Sequence, residues 1–200
     1  RFLQDNPGVT VVQRASNQME DLIKGGIDVA IRGHIDSLPD SSLIQMRLAR
    51  VEWHLFCSPE YHETLDDDED PVSLSDHPAL VLGQPGATNQ WLLTHRNGQS
   101  ASVPCSVRFA SDDMSTLKNA AALSLGLVAL PAYVCRSEVE AGSLVRVLPH
   151  WTAGHPQISL LIPSRQGMLP AFEAFLSFMK QELPTVLADD SSANAQETIS

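Results

Sequence analysis

The sequence predicts an α/β fold, and three observations carry that expectation. A β-branched apolar run, Ile27 to Ile31, follows a short helical stretch and stops at Arg32-Gly33-His34. From Ala79 to Leu148, strand-like and helix-like segments alternate in βαβαβ order, which favours a mostly parallel sheet. The 200 residues are 43% hydrophobic, enough for a real core in one large domain or two small lobes.

Taken in order, Arg1 to Gln4 reads as the last turn of a helix that Asn6-Pro7-Gly8 ends, and Val9 to Arg14 as a strand. Asn17 caps a second helix and Glu20, three residues on, can answer it. Met19, Leu22 and Ile23 supply its apolar stripe, and Gly25-Gly26 stop it. Ile27 to Ile31 is the kind of run that a parallel sheet buries. Asp36 to Ser42 is a polar turn region, Leu43 to Leu48 an extended piece, and Val51 to Cys57 a strand with unequal faces. Ser58-Pro59 starts a helix, with proline at its first position.

Ala79 to Leu82 and Ser106 to Ala110 read as strands on either side of a segment around Trp91. Ser111, Asp112 and Asp113 offer capping side chains to a helix with Leu117, Ala120, Ala121 and Ser124 on one face, closed by Gly126. Leu127 to Leu130 is a short buried strand, Pro131 opens a helix that Gly142 ends, and Leu144 to Leu148 is a strand. Ile158 to Ile162 is a return strand. Pro170 starts a last helix with Phe172, Phe175, Leu176 and Met179 on one stripe, and Pro184 ends it. Asp189 to Ser200 is polar and aperiodic, the composition of a flexible tail.

Thirteen basic residues against twenty-four acidic give a net charge of −11, which argues against this chain gripping nucleic acid by itself. No stretch approaches a membrane span, and no signal peptide opens the chain. Cys57, Cys105 and Cys135 are odd in number and widely spaced, without a CxxC arrangement. They predict no disulfide framework and no metal site, and a reduced, cytoplasmic setting. Of seven histidines only His150 and His155 lie near each other, and surface or packing roles are the better reading. No GxSxG elbow, P-loop or HExxH is present, so no catalytic residue, enzyme activity or cofactor is expected.

The stretch Asp21-Leu22-Ile23-Lys24-Gly25-Gly26-Ile27-Asp28-Val29-Ala30-Ile31-Arg32 resembles the effector-binding domain of LysR-type transcriptional regulators. So do, in order, Cys57 to Tyr61, Leu125 to Pro131, Gly142 to Leu148 and Ile158 to Pro163, and the resemblance covers residues 1 to 184. It implies two Rossmann-like lobes joined by two crossover strands, a type II periplasmic-binding-protein-like arrangement. The lobes expected from it are residues 1–56 with 158–184, and residues 57–157, with 185–200 as the tail. In that family a strand and most of a helix precede this point, after a winged helix-turn-helix and a linker helix. The first lobe is therefore expected to be truncated and DNA to be met only through the missing N-terminal domain. The partners implied are a small-molecule effector and a second copy of the chain, as homodimer or homotetramer, with no membrane. A free-standing solute receptor of the periplasmic binding-protein type is the alternative, which an upstream signal segment would support.

Ligands of open α/β sheets collect beyond the carboxyl ends of the strands, which makes Arg32 a candidate grip for an anionic group. The competing reading is a pair with a neighbouring acid. Gly33 and His34 share that strand end. Ser16 and Asn17 lie where a strand meets a helix N-terminus, a ready anion site, with capping as the plain alternative. Ser111, Asp112 and Asp113 hold the equivalent junction downstream, where two carboxylates suit an amino group or cation. Together these residues predict an effector with a carboxylate and an amino or hydroxyl group, such as an amino acid or hydroxy acid.

Overall fold

A computed structural model describes residues 1–16, 21–34, 43–66, 70–86, 89–163 and 169–188. In chain order the elements are α1 (Phe2–Asp5), β1 (Ala30–His34), β2 (Ile44–Arg50), β3 (Trp53–Cys57) and α2 (Pro59–His62). A 3-10 turn (Pro71–Asp76), β4 (Pro78–Leu82), β5 (Gln90–His95), β6 (Ser100–Pro104) and β7 (Ser106–Ser111) follow. The chain then forms α3 (Met114–Ala122), β8 (Leu127–Pro131), α4 (Ala132–Glu140), β9 (Val145–Val147), β10 (Trp151–Thr152), β11 (Gln157–Ile162) and α5 (Pro170–Leu187). Two compact units result: residues 1–50 with 156–200, and residues 51–155.

The first unit is built on β11. Its sheet has the order β1-β11-β2, and both flanking strands run antiparallel to the middle one. Leu160 and Ile162 of β11 are almost wholly buried, and Leu176 of α5 packs on them with Ile44, Met46 and Leu48 of β2 around the edge. The amphipathic stripe of α5 therefore covers one face of this sheet, as its spacing requires. The short α1 is pinned to the same helix: Phe2 meets Phe175 edge-on with ring centroids 5.2 Å apart, and Arg1 grips Glu182 through two bonds of 2.8 and 2.9 Å.

Three expectations for this unit need correction. The strand after Gly26 begins at Ala30 rather than Ile27, pairs antiparallel rather than parallel, and leaves Ile31 51% exposed. Residues 28–29 are instead a bend and its continuation, because the turn from Leu22 to Gly26 closes as a Schellman motif. In it the Ile27 N–H reaches the Leu22 carbonyl and the Gly26 N–H that of Ile23, with Gly26 at φ 61°. Val9 to Arg14 forms no ladder, and Val12 stands 80% exposed: β propensity alone does not make a strand without a partner. Pro184 does not end α5, which runs on to Leu187. A proline forfeits one backbone bond, and the buried Leu187 side chain anchors the turn beyond it. The Asn17 cap, Met19, Glu20, Asp36 to Ser42 and the tail from Asp189 lie outside the described residues.

The second unit is a five-stranded sheet in the order β7-β4-β8-β3-β9. β4 pairs parallel with β7 and β8, while β3 runs antiparallel to both its neighbours, so four strands share one direction. The mostly parallel sheet expected from the βαβαβ order is present. β3 sits between two partners, and His54 to Cys57 are all buried, which replaces the expected unequal faces. One sheet face packs Phe56, Leu80, Val128 and Leu130 on Leu117, Ala120 and Ala121 of α3 and Cys135 of α4. The other packs Leu55, Cys57, Ala79 and Leu127 against Trp91, Leu93 and Val103. The Trp91 segment is thus a second, antiparallel sheet, β10-β5-β6, laid over the first.

One glycine has a different duty from the one expected. The Schellman motif at the end of α3 has Ser124, at φ 61°, in the left-handed position, not Gly126. The Leu125 N–H bonds the Ala120 carbonyl and the Ser124 N–H that of Ala121. The Ser124 hydroxyl is held by Ser58 Oγ at 2.8 Å and donates to Glu60 Oε2 at 3.2 Å. Gly126, at φ 146°, lies two residues on, where β8 passes close to β4. A Cβ there would stand 3.0 Å from the Pro78 carbonyl carbon and nearer still to its oxygen.

Candidate functional site

In the first unit the polar face of the sheet lies opposite α5. Directly opposed residues of an antiparallel ladder project to the same side. Arg32 of β1 and Arg47 of β2 both oppose Ser159 of β11, so two arginines flank one serine on that face. Ser159 is completely buried, a hydroxyl set between the apolar Ile158 and Leu160 of its strand. Its hydroxyl is tied to His34 Nε2 at 3.0 Å and receives the Gln45 amide at 3.0 Å. Gln45 Nε2 and His34 Nε2 lie 3.2 Å apart, so the three side chains close a polar triangle. When the Gln45 amide donates to His34 Nε2, that nitrogen is the acceptor and the Ser159 hydroxyl donates to it as well.

Arg32 Nη1 donates to the Ser16 backbone carbonyl at 3.1 Å. The structure therefore joins these two anticipated residues, but through the Ser16 main chain and not its hydroxyl. This bond holds the residue-16 loop to the strand and orients the guanidinium. Arg47 is exposed, and among the described residues no carboxylate pairs with it. Gly33 belongs to the opposite face, where a Cβ would come 3.3 Å from Ile158 Cδ1, so it packs and does not point to the polar side. Asn17 lies outside the described residues.

Ser111, Asp112 and Asp113 stand at the β7–α3 junction of the second unit. Asp113 is the N-cap: its carboxylate accepts from the Ser115 and Thr116 N–H groups at 3.2 and 3.0 Å and from Thr116 Oγ1 at 2.6 Å. The Thr116 hydroxyl, then these N–H bonds, hold its pKa below the ordinary 3.8. Ser111 Oγ accepts from the Asp113 N–H at 3.1 Å, so both side chains serve the helix start. Asp112 is exposed, with its carboxylate beside Gly83.

The cysteines are free. Burial pushes the Cys57 and Cys135 thiols up to about 12 and that of Cys105 to about 11, which keeps them as thiols and poor nucleophiles.

A family model described as the LysR substrate binding domain matches residues 1–184. The chain belongs to that family. A LysR-type regulator's effector-binding domain is thus what these two units make up. An HTH-type transcriptional regulator of Haemophilus influenzae is 26% identical over 167 residues, covering 84% of this chain and 57% of the relative. Full-length AphB, a virulence activator of Vibrio cholerae and a member of the same regulator family, superposes with a TM-score of 0.75 at 27% identity. That match covers 90% of this chain and 60% of AphB, so the chain spans about three fifths of the relatives it resembles. The regulatory domain of CrgA from Neisseria meningitidis shares the fold, with a TM-score of 0.76 at 22% identity over 91% of this chain and 88% of that domain. The type II periplasmic-binding-protein-like α/β class expected from the sequence is the class of these LysR regulatory domains. Among the described residues, no helix is long and apolar enough to cross a membrane.

The sequence reading passed over Gln45, Arg47 and Ser159. Ser159 had a signal, since one hydroxyl interrupts the apolar Ile158 to Ile162 run. Gln45 and Arg47 had none, because their side of β2 becomes meaningful only once β11 lies between β1 and β2.

Proposed function

We propose that this LysR-family domain senses a small anionic effector and that Arg32 and Arg47 supply its charge recognition. The observation that carries the reading is the pair of arginines on either side of the buried Ser159. A guanidinium presents a planar fork to a carboxylate, and the His34–Ser159–Gln45 triangle gives fixed hydrogen-bonding groups beside it. A carboxylate bearing a hydroxyl or amino group suits that combination of charge and neutral polar groups. Ser16 reports occupancy through its bond to Arg32. A ligand drawing the guanidinium away would release the residue-16 loop, which is a way for binding to bias one conformation over another. DNA recognition in the complete regulator would belong to a helix-turn-helix, as the relatives' names state, and self-association would carry the signal between copies.

Calorimetry of the 200-residue chain against a panel of amino acids, hydroxy acids and neutral aromatics tests this. On a hit, Arg32→Ala should weaken binding by about 1.5–3 kcal/mol, the usual worth of a hydrogen bond to a charged group. Arg32→Lys should restore only part, because the fork is lost. A neutral aromatic hit, or unchanged binding by Arg32→Ala, would show that Arg32 has a structural role and not a ligand-binding one.

A further inference from the structure

A concavity lies wholly inside the second unit, over the β10–β5 edge, with a volume of about 240 Å³. Arg96, Arg146, His95, His150 and His155 line it together with a single acid, Glu52. From this we infer a second ligand site, one that takes a small oxyanion of two or three negative charges and is independent of Arg32.

The donors are already oriented. His95 lies edge-on to His150, ring centroids 6.1 Å apart, and to Trp151 at 5.0 Å. Its Nδ1 accepts the Asn97 N–H at 3.2 Å, so the neutral ring carries its proton on Nε2 and offers a donor. The Arg96 N–H bonds the His150 carbonyl at 3.0 Å, which fixes those two residues side by side. Among the described residues, no carboxylate pairs with the Arg96 guanidinium. Two threonines complete the wall. Thr152 Oγ1 donates to the Thr94 carbonyl at 3.2 Å, so in its 3.1 Å contact with His155 Nε2 it is the acceptor and His155 donates.

Glu52 offsets one of the two guanidinium charges in the lining. It is shared between His54, whose Nε2 lies 3.6 Å from one carboxylate oxygen, and His155, whose Nδ1 lies 3.9 Å from the other. The lining still holds one more guanidinium than carboxylate, with His95 and His150 beside Arg96, a basic spot on a chain of net charge −11. Such contrast focuses anions onto one place. A metal cation does not fit: the two arginines repel it, and among the described residues no three potential ligands gather into a metal-holding group. The volume also lies below the roughly 300–1,000 Å³ of pockets that take drug-sized ligands, which favours a compact anion. Inorganic phosphate and a polycarboxylate such as citrate share the needed chemistry.

The test is titration of the 200-residue chain, followed by NMR or calorimetry at constant ionic strength, with sulfate, phosphate and citrate as separate probes. At least one should bind saturably, and the preferred arm names the source of the charge. Arg96→Ala and His150→Gln change exposed residues and should each lower affinity about tenfold or more, as loss of a hydrogen bond to a charged group does. Arg32→Ala should leave it unchanged. No saturable binding, binding untouched by Arg96→Ala and His150→Gln, or binding lost with Arg32→Ala would each overturn the inference.

Discussion

Gly126 shows how much one missing methyl group can matter. Its φ of 146° is strained for any side chain, and the Pro78 carbonyl occupies the space a Cβ would take. The two penalties act together, because relieving the collision means separating β8 from β4 at the centre of the second unit's sheet. Gly126→Ala is expected to cost about 2–4 kcal/mol, from a strained backbone plus an overpacked contact. Denaturant titration checks this, and a loss below about 0.5 kcal/mol would mean the chain shifts there without effort. Ser124 makes the contrast. It also has a left-handed φ, but its hydroxyl is held by Ser58 and Glu60, so side-chain bonds offset the backbone cost that a glycine would have avoided.

Among the elements, α3 is the one whose start depends most visibly on a single carboxylate. Asp113 has a folded pKa below its ordinary value, so its contribution is present above the unfolded pKa and is lost as pH falls through the folded one. The chain should therefore lose stability on acidification below the ordinary carboxylate range, and Asp113→Asn should blunt that loss, since asparagine caps but does not titrate there. Thermal melts from pH 7 to pH 3 compare the two, and parallel curves would mean the cap has no part in acid sensitivity. This cap was legible because Ser111, Asp112 and Asp113 precede an apolar 3.6-residue stripe, and α5 was legible from the Phe172 to Met179 spacing for the same reason. Strand direction was not. Ile27 to Ile31 carries the composition of a buried parallel strand, but β1 lies beside β11 from the far end of the chain, and nothing local encodes that partner. The arginine pair around Ser159 was hidden for the same reason, whereas Arg32 at a strand end could be picked out alone.

At the scale of the whole molecule the first unit is discontinuous and the second is not. The second unit's ends are tied together within it: the Trp53 N–H bonds the Gly154 carbonyl at 3.0 Å and the Ala153 N–H bonds the Trp53 carbonyl at 2.7 Å. Residues 51–155 thus have their own closure, with a continuous core on both faces of their sheet. The first unit has its sheet centre in β11, and among the described residues β1 and β2 pair only with that strand. A chain stopped after His155 should therefore show amide-exchange protection through residues 51–155 and none in Ile44–Arg50. Slow exchange in Ile44–Arg50 of that shortened chain would mean β2 finds a partner without β11. The same arrangement sets a schedule on the ribosome. About 112 residues separate Arg50 from Ile162, and at about 5–20 residues per second their synthesis takes about 6–22 s. For that interval Ile44, Met46 and Leu48 have emerged with no β11 to lie against, while the second unit has everything it needs to fold. The face that carries Arg32, Ser159 and Arg47 is thus assembled only after β11 has been made, long after β1 and β2 have left the ribosome.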